Sequence, residues 1–89
     1  MKVSKSLVVG DLSFKYTYRS DPALGLIVSK NYGNSVDRNL FKRRCRYLFR
    51  NILINQGIDI ALIVRPENQN IPFAEIKNSF RDLYEKISV

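Results

Sequence analysis

The sequence predicts a small α+β domain, and three observations lead to that fold class. Residues 12–19 alternate between apolar and polar side chains, as in a strand with one covered face. Residues 25–29 and 59–65 are short apolar runs of strand length. Two longer stretches repeat apolar residues at helical spacing. The predicted order is β-β-α-β-α, a sheet backed by two helices, within a single domain over residues 1–89.

The first predicted strand is LSFKYTYR, Leu12 to Arg19. One face carries Leu12, Phe14, Tyr16 and Tyr18, and the other carries Ser13, Lys15, Thr17 and Arg19. Asp21 and Pro22 then predict a turn. The run GLIVS, Gly25 to Ser29, is apolar and β-branched, so we expect a buried second strand. The two strands are expected to pair as a hairpin with a loop longer than two residues.

A central helix is expected to begin at Asn34 or Ser35, since either side chain can cap it. Asp37 then lies in the first turn, where the helix dipole favours an acid. The helix should extend to about Ile54, because the following Asn-Gln-Gly sequence ends at Gly57, and glycine readily adopts the left-handed conformation that closes helices.

The run DIALIVR, Asp59 to Arg65, predicts a third strand that is covered on both faces. A loop over residues 66–70 follows, and Pro72 suits the first turn of a last helix. Its apolar positions recur at helical spacing: Phe73, Ile76, Phe80, Leu83, Tyr84 and Ile87.

Positive charge is concentrated in the central helix. The chain has 15 Lys and Arg against 8 acids, a net charge of +7. From Lys30 to Arg50 there are seven cations and one acid, so this stretch carries six of those seven net charges. The cations are Lys30, Arg38, Lys42, Arg43, Arg44, Arg46 and Arg50. Charge this concentrated predicts a polyanionic partner, either nucleic acid or an anionic membrane.

Projected at about 100° per residue, the helix separates into a core face and a basic face. The core face comprises Phe41, Cys45, Leu48, Phe49 and Ile52, and the basic face comprises Asn39, Lys42, Arg43, Arg46 and Arg50. Such a face can be merely solvated. Here, however, Arg38, Lys42, Arg46 and Arg50 form an i, i+4 ladder of one sign, which costs helix stability. This favours contact with nucleic acid.

RNA fits these residues better than sequence-specific DNA. Arginines can fork onto phosphates, and Asn39 can bond a base edge or a ribose hydroxyl. The preceding strands do not resemble a helix-turn-helix, so no DNA partner is expected. The aromatic face of the first strand, Phe14, Tyr16 and Tyr18, either stacks unpaired bases or packs against the helices, and both alternatives remain open.

Other functions are less compatible with the composition. No apolar run reaches the roughly 18 residues of a membrane span, and the helix has no broad apolar face for interfacial insertion. The chain has no histidine and its acids are scattered, so we expect no catalytic residue and no metal or cofactor site in the protein itself. A single cysteine, Cys45, is typical of a reducing cytoplasm.

The stretch GLIVSKNYGNSVDRNLFKRRCR resembles the signature of the bacterial ribonuclease P protein component. That family has Ser-Lys and a glycine turn before a helix with the pattern Arg-Asn-x-x-Lys-Arg-x-x-Arg. The matching positions are Ser29, Lys30, Gly33, Arg38, Asn39, Lys42, Arg43 and Arg46. The resemblance extends from about Leu12 to Ile87.

The resemblance implies a fold similar to the second domain of ribosomal protein S5, with a left-handed crossover through the basic helix. It implies a protein subunit that binds ribonuclease P RNA, which itself removes the 5′ leader of precursor tRNA using Mg²⁺. The RNA-binding residues would be Lys30, Arg38, Asn39, Lys42, Arg43, Arg46 and Arg50. The leader would lie in a cleft beside the sheet, where we expect Phe14 and Tyr16, or Lys15 and Thr17 if the strand faces the other way.

Two features depart from the family pattern. Leu40 stands where the family usually has a cation, an absence that Arg44 could offset. The family's basic N-terminal segment and amphipathic helix, with two cleft phenylalanines, do not precede Leu12, so one sheet face is expected to stay open and apolar. A ribosomal or ribosome-associated RNA-binding protein of similar fold is the alternative function.

Overall fold

The computed structural model describes residues 5–87, which form one mixed sheet covered on one face by two helices. The strands follow the order β1-β2-β4-β3 across the sheet. They are β1 Lys5–Val9, β2 Leu12–Tyr18, β3 Ala23–Leu26 and β4 Ile60–Pro66, and the helices are α1 Ser35–Leu48 and α2 Phe73–Ile87. The predicted α+β class is confirmed, with one strand more than the sequence predicts.

Strand β1 is the element that the sequence prediction misses. Its five residues pair antiparallel with β2 through a tight turn at Gly10, which has φ 59°. A side chain at Gly10 would also approach the hydroxyl of Ser79 on α2 to 2.9 Å. Glycine therefore meets both a backbone requirement and a space requirement at this turn.

The predicted hairpin between the second and third strands is wrong. Strand β2 is flanked by β1 and β4, both antiparallel, so neither of its edges is available to β3. Strand β3 instead pairs in parallel with β4. Parallel neighbours need a long connection, and here α1 lies in that connection.

Two predictions about strand burial are also wrong. The second predicted strand, residues 25–29, lies at Ala23–Leu26 and is an edge strand with alternating exposed and half-buried residues. In β4, Ile60, Leu62 and Val64 are buried, but Ile63 between them is 41% exposed. The physical reason is the same in both strands: the two helices cover only one face of the sheet, so an apolar run is covered only at alternate positions.

The core lies between that sheet face and the helices. The rings of Phe14 and Phe80 meet edge to face at 5.3 Å between centroids. Helix α1 contributes buried Phe41, Cys45 and Leu48, as its predicted core face requires. The helical path continues through a π-helical turn, Phe49–Leu53, and a 3₁₀ turn, Ile54–Gln56, to Gly57 at φ 79°. The predicted extent and glycine closure of the central helix are confirmed.

Adjacent residues on β2 provide a test of which sheet face is covered. Phe14→Ala should lower the free energy of unfolding by about 3–5 kcal/mol, since Phe14 is 1% exposed and its removal leaves a cavity. Lys15→Ala should change it by less than about 0.5 kcal/mol, because Lys15 is exposed on the opposite face. Urea unfolding of both variants measures the difference, and equal losses would contradict this assignment of faces.

Candidate nucleic-acid interface

The N-terminus of α1 is fixed by a capping box. The backbone N–H of Asp37 donates to Asn34 Oδ1 at 2.9 Å, and the N–H of Asn34 donates to Asp37 Oδ2 at 3.3 Å. Of the two predicted caps, Asn34 is therefore the one used. Gly33 is required for space, because a side chain there would lie 2.7 Å from Asp37 Oδ2.

Lys30 is presented by a short 3₁₀ turn, Lys30–Tyr32, that packs on α1. The Tyr32 ring contacts Phe41 with centroids 5.0 Å apart, and its hydroxyl oxygen accepts from the Ile71 N–H at 3.0 Å. Burial raises the pKa of Tyr32, so the hydroxyl stays neutral at physiological pH. This buried tyrosine joins the turn, α1 and the segment before α2, and leaves Lys30 exposed at the surface.

The predicted ladder of cations winds around α1 rather than running straight along it. Each step of four residues rotates the side chain by roughly 40°. Arg38 and Lys42 are accordingly half-buried, whereas Arg46 and Arg50 are exposed. Arg38 Nη1 donates to the Gly33 carbonyl oxygen at 2.7 Å, so this guanidinium also braces the turn before the helix.

Asn39 and Arg43 are both exposed on α1, beside the ladder. Arg44 lies on the other flank of the helix, with its guanidinium 5.5 Å from the centroid of the Phe73 ring on α2. This cation–π contact holds Arg44 against α2. Arg44 lies one helical turn after Leu40, so whether it offsets the cation that the family pattern has at that position stays a prediction.

In the folded protein we extend the basic face to include Lys30 and Arg38, beside Asn39, Lys42, Arg43, Arg46 and Arg50. Over residues 5–87, the only ion pair joins Arg19 to Asp21, at 3.5 Å. No carboxylate in that part of the chain therefore pairs with a cation of the basic face. These cations are therefore not neutralised by ion pairs within the described residues, and their positive charge attracts polyanions.

The open face of the sheet lies opposite the helices. Phe14 and Tyr16 do not reach it, because they are 1% and 7% exposed within the core. The prediction that these two line a cleft is therefore wrong, and packing against the helices is the correct alternative. The open face instead carries exposed Lys15, Arg65 and Ile63.

Arg65 on this face is a candidate site residue that the sequence analysis misses. The run DIALIVR looks uniformly apolar, yet its alternation assigns Arg65 to the same face as Ile63 and Lys15. The open face therefore mixes cations with apolar side chains, whereas an apolar face was expected.

A groove of about 550 Å³ lies beside the 3₁₀ turn that presents Lys30, between this turn and the loop after β4. Its polar lining comes from amide and hydroxyl groups and the carboxylate of Glu67, which accepts a hydrogen bond from the Ser13 hydroxyl. A groove with this lining has no cation for a phosphate, so the basic face remains the better candidate for a polyanion.

Two further structural findings bear on function. Among residues 5–87, no three side chains of the metal-ligating types lie together as a metal site would require. Across that same range, no helix has the length and apolar character needed to span a membrane.

The fold and the basic face together define a small α+β protein with a cationic helix exposed beside a four-stranded sheet. The family model described as Ribonuclease P matches residues 3–88. The chain therefore belongs to the ribonuclease P protein family.

Individual relatives agree with this assignment. The chain is 33% identical over 66 residues to the ribonuclease P protein component of Phytoplasma australiense, covering 72% of this chain and 57% of that protein. It spans little more than half the length of the curated relatives it matches first.

Solved structures show the same fold. The RNase P protein of Staphylococcus aureus superposes with a TM-score of 0.73 at 24% identity, covering 96% of this chain and 81% of that chain. The protein of Thermotoga maritima superposes with a TM-score of 0.75 at 19% identity, covering 93% and 83%.

Cys45 offers a test of how tightly α1 is held. Burial raises the pKa of the Cys45 thiol from its ordinary 9.0 to about 12. In the folded protein the thiol should stay neutral at pH 8 and resist alkylation by iodoacetamide, whereas the urea-unfolded chain should react. Because the unfolded thiol ionises first, the free energy of unfolding should also fall between pH 9.0 and about 12.

Mass spectrometry measures the alkylation, and Cys45→Ala provides the control for the pH dependence. In the Cys45→Ala variant, the free energy of unfolding should no longer show the part of its pH dependence that the thiol causes. Rapid alkylation under native conditions would contradict the burial of Cys45 between α1 and the sheet.

Proposed function

We propose that this chain acts as the protein subunit of ribonuclease P and binds the catalytic RNA through the basic face. The observation that carries the proposal is the uncompensated basic face on α1, in a chain of this family. Family membership favours this function over a ribosomal role. The finer elements, precursor tRNA as substrate and a cytoplasmic location, belong to the same proposal.

Phosphate neutralisation is the main contribution of the basic face. The exposed guanidinium groups of Arg43, Arg46 and Arg50 can each fork onto two phosphate oxygens, and Lys30 supplies a point charge. Half-buried Arg38 is held at 2.7 Å by the Gly33 carbonyl, which limits the side-chain entropy lost on binding. The face is therefore preorganised on a rigid helix for an RNA backbone.

The chemistry of cleavage belongs to the RNA in this proposal. The chain has no histidine, and residues 5–87 hold no cluster of ligands that fits a metal ion. The Mg²⁺ ions would therefore be bound by the RNA partner, and the protein is expected to assist binding without taking part in the chemical step.

The 5′ leader of precursor tRNA is proposed to contact the open face of the sheet. Lys15 and Arg65 can approach leader phosphates, and Ile63, which is 41% exposed, offers an apolar surface to a base. An extended single strand suits this mixture, because unpaired nucleotides expose both their phosphates and the faces of their bases. This arrangement replaces the one expected from Phe14 and Tyr16.

Salt dependence tests the basic face. With about four or five phosphate contacts, the logarithm of the affinity for ribonuclease P RNA should fall with the logarithm of salt concentration at a slope of roughly −3 to −4. Arg46→Ala should make the slope shallower by roughly 1 and weaken binding. Its thermal stability should be unchanged or slightly higher, since ladder repulsion is relieved.

Lys86→Ala is the matched control, because it removes the same charge from an exposed site on α2. Filter binding over a range of salt concentrations measures both slopes. A nearly flat salt dependence, or an equal effect of the two substitutions, would contradict binding through α1.

Reconstitution tests the role of the chain in cleavage. Adding the chain to ribonuclease P RNA at low Mg²⁺ should increase cleavage of precursor tRNA at the mature 5′ end. The chain alone, stringently purified, should leave precursor tRNA intact in the presence of Mg²⁺, because it lacks a group able to activate water near neutral pH. Cleavage by the chain alone that survives nuclease pretreatment of the sample would show that the protein is itself catalytic.

A further inference from the structure

Tyr47 is an exposed aromatic side chain in the middle of the cationic helix. It is 59% exposed, although it lies on α1 between buried Cys45 and Leu48. Projected at about 100° per residue, it lies roughly 160° from Cys45, so its ring points away from the core. Tyr47 therefore contributes little to packing α1 against the sheet.

The neighbours of Tyr47 on the helix surface are mostly cations. Residues three and four positions away are adjacent on a helix. For Tyr47 these are Arg43, Arg44, Arg50 and Asn51. An aromatic face bordered by guanidinium groups combines stacking with phosphate neutralisation.

The surface beside Tyr47 has space for a planar ligand. An open groove of about 380 Å³ is lined by Arg46, Tyr47, Arg50 and Asn51. Its volume lies in the range of about 300–1,000 Å³ found for small-molecule sites. Asn51 Nδ2 donates to the Tyr47 carbonyl at 2.7 Å, which fixes the wall of the groove next to the π-helical turn.

A second groove continues this surface toward the edge strand β3. It has a volume of about 410 Å³ and shares Arg46 and Arg50 with the first groove. Its floor is apolar, with contributions from Leu24 and Phe49. The two arginines thus stand between two places where a base could lie, at positions suited to the phosphates that connect neighbouring nucleotides.

Within the described part of the chain, the Tyr47 hydroxyl makes no hydrogen bond and the Tyr47 ring makes no ring–ring or cation–π contact. Tyr16 and Tyr32, by contrast, are buried and make ring contacts. A single exposed tyrosine is ordinary by itself, but its cationic border and its groove distinguish this one.

From this geometry we infer that Tyr47 stacks on an unpaired base of the RNA, with Arg46 and Arg50 holding the phosphates on either side. The inference rests on the proposed function and adds a base contact to it. Stacking tolerates any base, because each has a π face, so the site would recognise an unpaired nucleotide rather than a sequence. A paired base inside a helix could not present its face to the ring.

Substitution of Tyr47 tests the inference against ribonuclease P RNA. Tyr47→Leu should weaken binding by roughly 5- to 100-fold, as expected for loss of one stacked base. Tyr47→Phe should stay within about 2-fold of the wild type, since the ring is kept. Neither change should alter the salt slope, because no phosphate contact is lost. Thermal unfolding should be nearly unchanged, since the residue is exposed.

A fluorescent variant reports stacking directly. The chain contains no tryptophan, so Tyr47→Trp introduces a single indole on the basic face. Its emission should be quenched when the RNA binds. Asn78→Trp, at an exposed position on α2, is the matched control and should show little quenching.

The outcomes separate the inference from the proposed function. If the wild type binds with the expected salt slope but Tyr47→Leu binds equally well and the introduced indole is not quenched, Tyr47 does not stack and the proposed function stands. If the wild type fails to bind the RNA at low salt, both are wrong. Loss of affinity in Tyr47→Leu, with retention in Tyr47→Phe and selective quenching, supports the stacking assignment.

Discussion

The packing of α1 against the sheet is the contact on which the rest of the structure depends. Each pair of like charges at i, i+4 costs a helix about 0.2–0.5 kcal/mol. Burying a side chain such as Phe41 or Leu48 contributes about 1.5–3 kcal/mol. The burial of Phe41, Cys45 and Leu48 therefore stabilises α1 several times more than the like-charge ladder destabilises it. Because the core face anchors the helix, the opposite face can hold same-sign charges that an isolated helix would disfavour.

The direction of this helix is set at its N-terminus, by contacts that link several segments. Asn34 caps the first turn, and the buried ring of Tyr32 ties the preceding turn to Phe41 and to the backbone of Ile71. Arg38 joins the same assembly through the Gly33 carbonyl. Arg38, the first cation of the ladder, is thereby part of the scaffold, whereas Arg46 and Arg50 are exposed. The hydrogen-bonded N-terminus of the helix therefore fixes the position from which the exposed arginine side chains extend.

The sequence predicts the helices and strands of this chain better than it predicts which strands pair with each other. Local signals define the central helical path well: Asp37 lies in the first turn of α1, Gly57 closes the 3₁₀ turn at the end of the path, and the apolar spacing identifies Cys45 as core. Strand β3 is paired with the wrong neighbour because its partner β4 lies far along the chain, beyond α1. Strand β1 is missed, although its pairing with β2 is local, because its apolar stretch is short. Alternation on β2 separates Phe14 from Lys15 but cannot say which face the helices cover. At the site, the charge count locates the ladder and helix geometry gives its winding, while the half-burial of Arg38 and Lys42 emerges only from the structure.

Because the helices cover only one face of the sheet, the two candidate RNA-binding surfaces lie on opposite sides of the molecule. The basic face points outward from the helix layer, whereas Lys15 and Arg65 lie on the far side of the sheet. The helix layer and the sheet lie between the two surfaces. One straight RNA segment cannot contact both. Simultaneous binding at the two surfaces therefore requires either two strands or one strand that bends around an edge, and the proposed contacts to ribonuclease P RNA and to a 5′ leader would meet this requirement with two separate strands.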